Sequence, residues 1–585
     1  MPESSSTALP RQVADDYVDA LIELDPITGT FLGVRESAGR LPDFSPAGQE
    51  ALADLARRTL ERLDTAERQD GAQDEAEQRC GRLLRERLTA QLQVHEADEG
   101  LCAVSNLRSP AHSVRLSFTM LPTATAADWT AAAARLRAVP AALEGYRASL
   151  TLGLERGMRG GPRATATFVG QLTEWSVGGG TGPDGAPRGW FAGFAAGADT
   201  AIRATGPGGD GDGGLPDGLR AELTAAGAAA DAAVLALRDW MRDVYAPAVA
   251  DAPDTVGRER YRRWARFFNG TDLDLDQAYA YGWSEYHRLL GEMRHEADRI
   301  LPGSDPWEAL AHLDVHGAHI EGVDAVRDWL QGLMDEAIDA LDGTHFELAD
   351  RVRRVESRIA PPGGAAAPYY TGPSEDFSRP GRTWLPVDGQ HRFPVYDLVS
   401  TWYHEGVPGH HLQIAQWVHV ADRLSRYQAT IGKVSANTEG WALYAERLMD
   451  ELGFLGDAEK RLGYLDAQMM RACRVIVDIG MHLGLEIPAD STFHPGERWT
   501  PALAQEFFQR HSSRPPAFVE SEMTRYLSVP AQAIGYKLGE RAWLLGRANA
   551  RAKHGDAFDA KAWHMAALSQ GPLGLDDLVD EISRL

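Results

Sequence analysis

Tyr403-His404-Glu405-Gly406-Val407-Pro408-Gly409-His410-His411 is the stretch on which the reading of this chain turns. It places three histidines and a glutamate within nine residues. Neutral imidazole is a good zinc ligand, and a carboxylate beside the ion can take a proton from water. The spacing departs from the common helix-borne arrangement, His-Glu-x-x-His, in which both histidines share one face. Here the residue four after His404 is Pro408, and the next histidine comes at 410. On a regular helix six residues turn through roughly 600° and rise about 9 Å, so His404 and His410 would point apart. His411 would point the same way as His404 but lie roughly 10 Å further along. Zinc–nitrogen bonds are about 2 Å long, so an unbroken helix cannot bring either pair to one ion. Pro408 has no amide hydrogen to give a helix, and Gly406 and Gly409 allow unusual dihedrals. The insert therefore predicts a helix that ends near Gly406 and restarts near Pro408, swinging His410 back beside His404. His411 is the alternate ligand for a break of different shape.

A catalytic zinc site takes three protein ligands and leaves one position open. Glu439, in Ser435-Ala-Asn-Thr-Glu439-Gly-Trp-Ala-Leu-Tyr-Ala-Glu446, is the candidate third. Trp441, Leu443 and Leu448 give this segment an amphipathic helical pattern. A glutamate set among aromatic and aliphatic residues is expected to be buried. Glu446 lies two turns later on the same face. Glu405, next to the first histidine, stands where such motifs place the general base.

The runs Tyr403–Gln413 and Thr438–Glu446 resemble the bacterial family called domain of unknown function 885. The resemblance extends over most of the chain. It includes Pro26–Gly33, Leu41–Ser45, Tyr369–Ser374, Ser378–Gly381, Arg474–His482 and Tyr526–Gly539. It implies a mainly α, zincin-like fold, and a metal-dependent hydrolase similar to metallopeptidases that use His, His and Glu.

A hydrolase of this kind needs a donor for the developing oxyanion, and a phenol does this well. Tyr536 or Tyr526 is the candidate, with packing and a satisfied hydroxyl as the alternative. Arg525 or Arg474 is the candidate anchor for a substrate carboxylate, as a carboxypeptidase-like or dipeptidase-like enzyme requires. Asp478 and His482 are four residues apart and share a helix face. The pair could orient a ligand, let His482 contact substrate, or satisfy itself in the core. His564 is read as packed. His312, His316 and His319 are read as surface or structural.

The chain has 585 residues and a formal net charge of −25. That length supports a large core. An acidic surface argues against nucleic acid and anionic membrane as partners, although one pocket can oppose the global sign. The three cysteines are scattered, which fits thiols in a reducing compartment. The acidic first thirty residues do not read as a signal peptide, and no stretch is long and apolar enough to span a membrane. A soluble, cytoplasmic protein is expected. The sequence sets no oligomeric state.

Residues 47–100, 127–156, 218–247, 257–300 and 323–357 read as helical, as does the chain after 396. Trp264, Phe267, Phe268, Tyr279 and Tyr281 are candidate core. Gly-rich stretches between 178 and 218, including Gly206–Gly214, read as a flexible surface insertion. Pro361-Pro-Gly-Gly breaks the helices, and Trp384–Val387 and Phe393–Tyr396 are candidate short strands near the metal helix. The expected organisation is an N-terminal helical lobe, 1–255, and a catalytic metal-binding lobe, 256–585, intertwined around a deep cleft.

Together these features predict a zinc-dependent hydrolase of peptide or related amide bonds, acting on short peptides. Two alternatives stand beside it. One is a metal-dependent enzyme for a small amide-containing metabolite. The other is a non-catalytic binding protein on the same fold.

Overall fold

Local chemistry starts the helices where the pattern predicts. Pro46–Glu67 begins at Ser45, whose hydroxyl accepts from the Gly48 amide. Glu75–Glu96 begins at Asp74 in the same way, and Ala126–Glu155 begins with a Thr125/Asp128 capping box. The computed structural model describes residues 8–68, 74–181, 185, 187–205, 215–360, 367–387 and 389–585. Over these residues the chain is mainly α, with five short strands.

The buried side chains form two cores. One is built between Ala38 and Val249, chiefly from Ala126–Glu155 and Asp217–Trp240. The other joins residues 13–92 to residues 261–582. The first core ends at Val249 and the second resumes at Tyr261, but residues 13–92 belong to the second. The first helices pack instead on the C-terminal body: Tyr17 meets Tyr427 edge-on at 5.8 Å, and Arg82 pairs with Asp577 at 3.2 Å.

The Gly-rich region also departs from expectation. Trp190–Ala196 and Ala198–Thr205 are helical. Phe191 and Phe194 lie 5.2 and 5.3 Å from Phe118, ring to ring. Aromatic burial thus anchors part of a stretch whose glycine content reads as flexible. Gly206–Gly214 and Pro361–Gly364 lie outside the described residues.

The strands flank the motif. β1 (His319–Glu321) pairs antiparallel with β5 (Arg392–Pro394). β2 (Val355–Ile359), β3 (Tyr369–Thr371) and β4 (Gly381–Leu385) form a sheet in the order β2-β4-β3. The candidate strands at Trp384 and Phe393 are β4 and β5. The helix expected over 323–357 ends at Leu341, and its last residues form β2.

Four helices build the site. They are the motif helix Val395–Glu405, its continuation His410–His419, the glutamate helix Ser435–Glu451, and the central helix Ala458–Leu483. The central helix is buried almost end to end. The tyrosine helix, Gly535–His554, crosses the glutamate helix at backbone contact. A Cβ on Gly440 would lie 2.3 Å from the Gly539 carbonyl carbon. Gly440→Ala is predicted to lower stability by about 1–3 kcal/mol through overpacking. Gly291→Ala, at an exposed helical site with open space around it, should raise stability by up to about 1 kcal/mol. Thermal unfolding of the two variants checks the pair.

Candidate metal centre

The motif helix ends at Glu405 and the next helix starts at His410, two residues later than the sequence predicts. The Val407–Pro408 bond is cis. The insert folds back tightly: the Gly409 amide donates to Tyr403 O at 3.0 Å. A Cβ on Gly409 would lie 2.0 Å from His404 O, so only glycine permits this approach. Trp441 Nε1 donates to the carbonyls of Pro408 and Gly409, at 2.9 and 3.1 Å, tying the insert to the glutamate helix.

The fold-back brings the His404 and His410 rings to 4.7 Å between centroids. Glu439 Oε2 lies 3.5 Å from His404 Nε2 and 3.4 Å from His410 Nε2. His404, Glu405 and His410 can each offer a ligand atom within 4.8 Å of the others. Behind His404, its Nδ1 meets Glu446 Oε1 at 2.7 Å, which turns Nε2 toward the site. The Glu446 carboxylate also accepts from Ser400 and from Gln468, and Arg471 lies 3.3 Å away. This group of partners joins the motif, glutamate and central helices.

The electrostatics follow the geometry. Burial opposes charge on His404, but Glu439 and Glu446 outweigh it and raise its pKa to about 9. Burial would also raise Glu439, yet the two histidines hold it well below the usual range. Glu405 is raised, chiefly by burial. A carboxylate with a raised pKa is suited to accept and return a proton. The donor set fits a zinc-type ion. Two imidazole nitrogens converge on one carboxylate oxygen, and a second carboxylate orients His404 from behind. His410 Nδ1 is buried with no partner of its own among the described residues.

His411 is spent elsewhere. Its Nε2 meets Val352 O at 2.7 Å and its Nδ1 meets the Tyr370 hydroxyl at 3.0 Å. Burial lowers its pKa to about 4. It staples the motif to the sheet, and it has no nitrogen left for an ion.

His404, Glu405, His410, Glu439 and Tyr536 line one cavity of about 630 Å³. The Tyr536 ring lies parallel to His404 at 6.5 Å. Phe267, Phe268, Arg108 and Lys433 also line it, and the sequence reading misses all four as site residues. They come from remote segments with no motif signal.

The other predicted residues form a buried cluster that packs against Tyr536, with the Arg474 guanidinium 4.8 Å from its ring centroid. Glu522 accepts from Arg474 at 2.8 Å, Arg525 at 2.7 Å and the Tyr526 hydroxyl at 2.6 Å. Tyr526 is fully buried, so its hydroxyl does not reach the cavity. Both arginines are already neutralised, and neither lines the cavity. The signal was present: Glu522 stands three and four residues before Arg525 and Tyr526 on one helix. His482 is buried, with Nδ1 accepting from the Val256 amide and Nε2 facing Tyr526 O, both at 3.1 Å. It does not hydrogen-bond Asp478, which stands 3.9 Å away. Asp478 instead accepts from Tyr261 at 2.6 Å and from the Ala531 amide at 2.9 Å, pinning the turn before Tyr536.

Burial alone would raise the Glu522 pKa, but Arg525 and Arg474 outweigh it and hold it at about 2. Its stabilising contribution is complete above the ordinary glutamate range and is lost as pH falls toward 2. Glu522→Ala should cost about 3–5 kcal/mol, because two buried guanidinium groups lose their partner. The urea unfolding midpoint measures this, and an unchanged midpoint would leave the arginines available to a substrate.

Comparison with solved structures places this fold beside two chains. A "putative lipoprotein" from Colwellia psychrerythraea is 20% identical, with a TM-score of 0.81 and 98% of each chain covered. A "putative lipoprotein of unknown function" from Shewanella oneidensis is 18% identical, with a TM-score of 0.72, covering 98% of this chain and 100% of that one. At these identities the likeness is one of fold. No curated protein matches the chain. The family described as bacterial protein of unknown function (DUF885) matches residues 26–582. The chain belongs to that family.

Proposed function

We propose that this protein is a zinc-dependent hydrolase of peptide or related amide bonds. The observation that carries the reading is the convergence of His404 Nε2 and His410 Nε2 on Glu439 Oε2, beside Glu405, in one cavity. Zinc, when bound by His404, His410 and Glu439, supplies Lewis-acid polarisation of the carbonyl and of water. Glu405 takes a proton from the water as its oxygen attacks the carbonyl carbon. It returns that proton to the amine nitrogen as the carbon–nitrogen bond breaks. The Tyr536 hydroxyl donates to the oxygen that gains charge.

The cavity volume suits a short peptide, and also a small amide-containing metabolite. One feature favours the peptide. β3 is an edge strand, and its Tyr369 and Tyr370 line the cavity. An extended peptide can pair with such an edge. The cytoplasmic location is proposed from the three buried free cysteines. No described helix is long and apolar enough to cross a membrane.

A peptide-library screen with mass-spectrometric readout tests the reaction. Glu405→Gln should keep its zinc and lose about 10²–10⁴-fold in turnover. Tyr536→Phe should lose about 10²–10³-fold in kcat. Full turnover in Glu405→Gln would remove the mechanism. Glu446→Gln should weaken zinc binding by about 10–100-fold, read by competition with a chelator. Unchanged affinity would show that Glu446 does not tune His404.

A further inference from the structure

The chain carries 84 acidic and 59 basic side chains, so most interior cations find a carboxylate. Three cations line the cavity: Arg87, Arg108 and Lys433. Arg87 is neutralised. Its Nη2 donates to Glu86 at 2.8 Å and its Nη1 to Phe267 O at 2.6 Å. Arg108 and Lys433 differ. Among the described residues neither side chain has an ion-pair or hydrogen-bond partner. The Arg108 guanidinium rests over the Phe268 ring at 5.4 Å. Both groups are open to the cavity, yet desolvation lowers both pKa values, and Arg525 lowers Arg108 further. Two cations without a carboxylate partner on one cavity wall give that wall a positive field that favours an anionic ligand.

A third feature faces the same space. The glutamate helix starts directly after Lys433 and Val434, and no side chain caps its N-terminus. Its first-turn residues Ser435 and Thr438 line the cavity. An uncapped helix N-terminus beside two unpaired cations favours an anion. Arg474 and Arg525, the anchors expected from sequence, are committed to Glu522.

We propose that the cavity selects substrates bearing a free carboxylate, which Arg108 and Lys433 anchor beside the metal-binding residues. The anchor deepens the hydrolase reading and rests on it only for what is done to the bound molecule. The carboxylate can be a peptide C-terminus or an acidic side chain.

Binding separates these sources without requiring turnover. Full-length Glu405→Gln protein would be equilibrated with three N-acetylated dipeptide pools: free acids, neutral amides, and amides containing Asp or Glu. Retention on ultrafiltration is read by mass spectrometry. The free-acid pool or the acidic-side-chain pool should be retained about 10-fold or more over the neutral amides, the effect of a charge-assisted hydrogen bond. Which of the two is retained assigns the source of the carboxylate. Adding Arg108→Gln and Lys433→Met should abolish the preference and leave neutral-amide retention and zinc content unchanged. Circular dichroism checks the fold of each variant. Equal retention of all pools, retention of none, or a preference that survives both substitutions overturns the proposal. A protein that keeps the preference but takes up no zinc contradicts the hydrolase reading alone. A wild type that cleaves neutral amides as well as free acids contradicts the anchor alone.

Discussion

The contact between His404 Nδ1 and Glu446 Oε1, 2.7 Å long and fully buried, is the interaction on which the site depends. It fixes the ring so that Nε2 faces Glu439 and the cavity. A buried carboxylate is stable only if compensated, and Arg471, Ser400 and Gln468 supply that compensation. Gln468 leads on to Lys537 at 2.9 Å, and Lys537 pairs with Glu540 on the tyrosine helix. The core around the motif is thus a connected polar network rather than an apolar one. Such a network orients side chains more tightly than loop-borne contacts do.

The second constraint is steric. Two helices that meet end to end would carry His404 and His410 apart. The Gly406–Gly409 insert reverses this, because Gly409 lets the chain pass against the His404 carbonyl. Trp441 then holds the insert from the glutamate helix, the same helix that presents Glu439. One element therefore sets both the shape of the break and the position of the third carboxylate. His411 ties the far side to the sheet through Val352 and Tyr370. The adjacent histidines divide the work, one facing the cavity and one holding the scaffold.

Much of this was legible in sequence. The motif named His404, Glu405 and His410; the hydrophobic setting of Glu439 pointed to a buried carboxylate, whereas its side chain is half-buried at the cavity wall. Helix periodicity located most of the long helices to within a few residues; the run over 323–357 is the exception, ending at Leu341 and leading into β2. What was not legible depends on tertiary contact. Nothing local marks Arg108, Phe267, Phe268 or Lys433 as cavity residues, because three separate segments bring them together. Arg474, Arg525 and Tyr526 meet Glu522 and do not line the cavity. For Arg525 and Tyr526 the acceptor, Glu522, stands on the same helix face. Within the Gly-rich region, residues 190–205 are helical because Trp190, Phe191 and Phe194 pack on Phe118, a signal the glycine content obscured. The intertwining of the expected lobes lies in the chain's return: residues 13–92 pack with residues 261–582.

The proposed function stands on His404, His410 and Glu439 holding one metal ion. Elemental analysis of purified wild type and His404→Ala, side by side after dialysis against zinc, tests it most directly. About one zinc per wild-type chain is expected, as a three-ligand site requires, with its loss from the folded variant. A folded wild type that takes up no zinc, or a variant that binds as much as wild type, would contradict it.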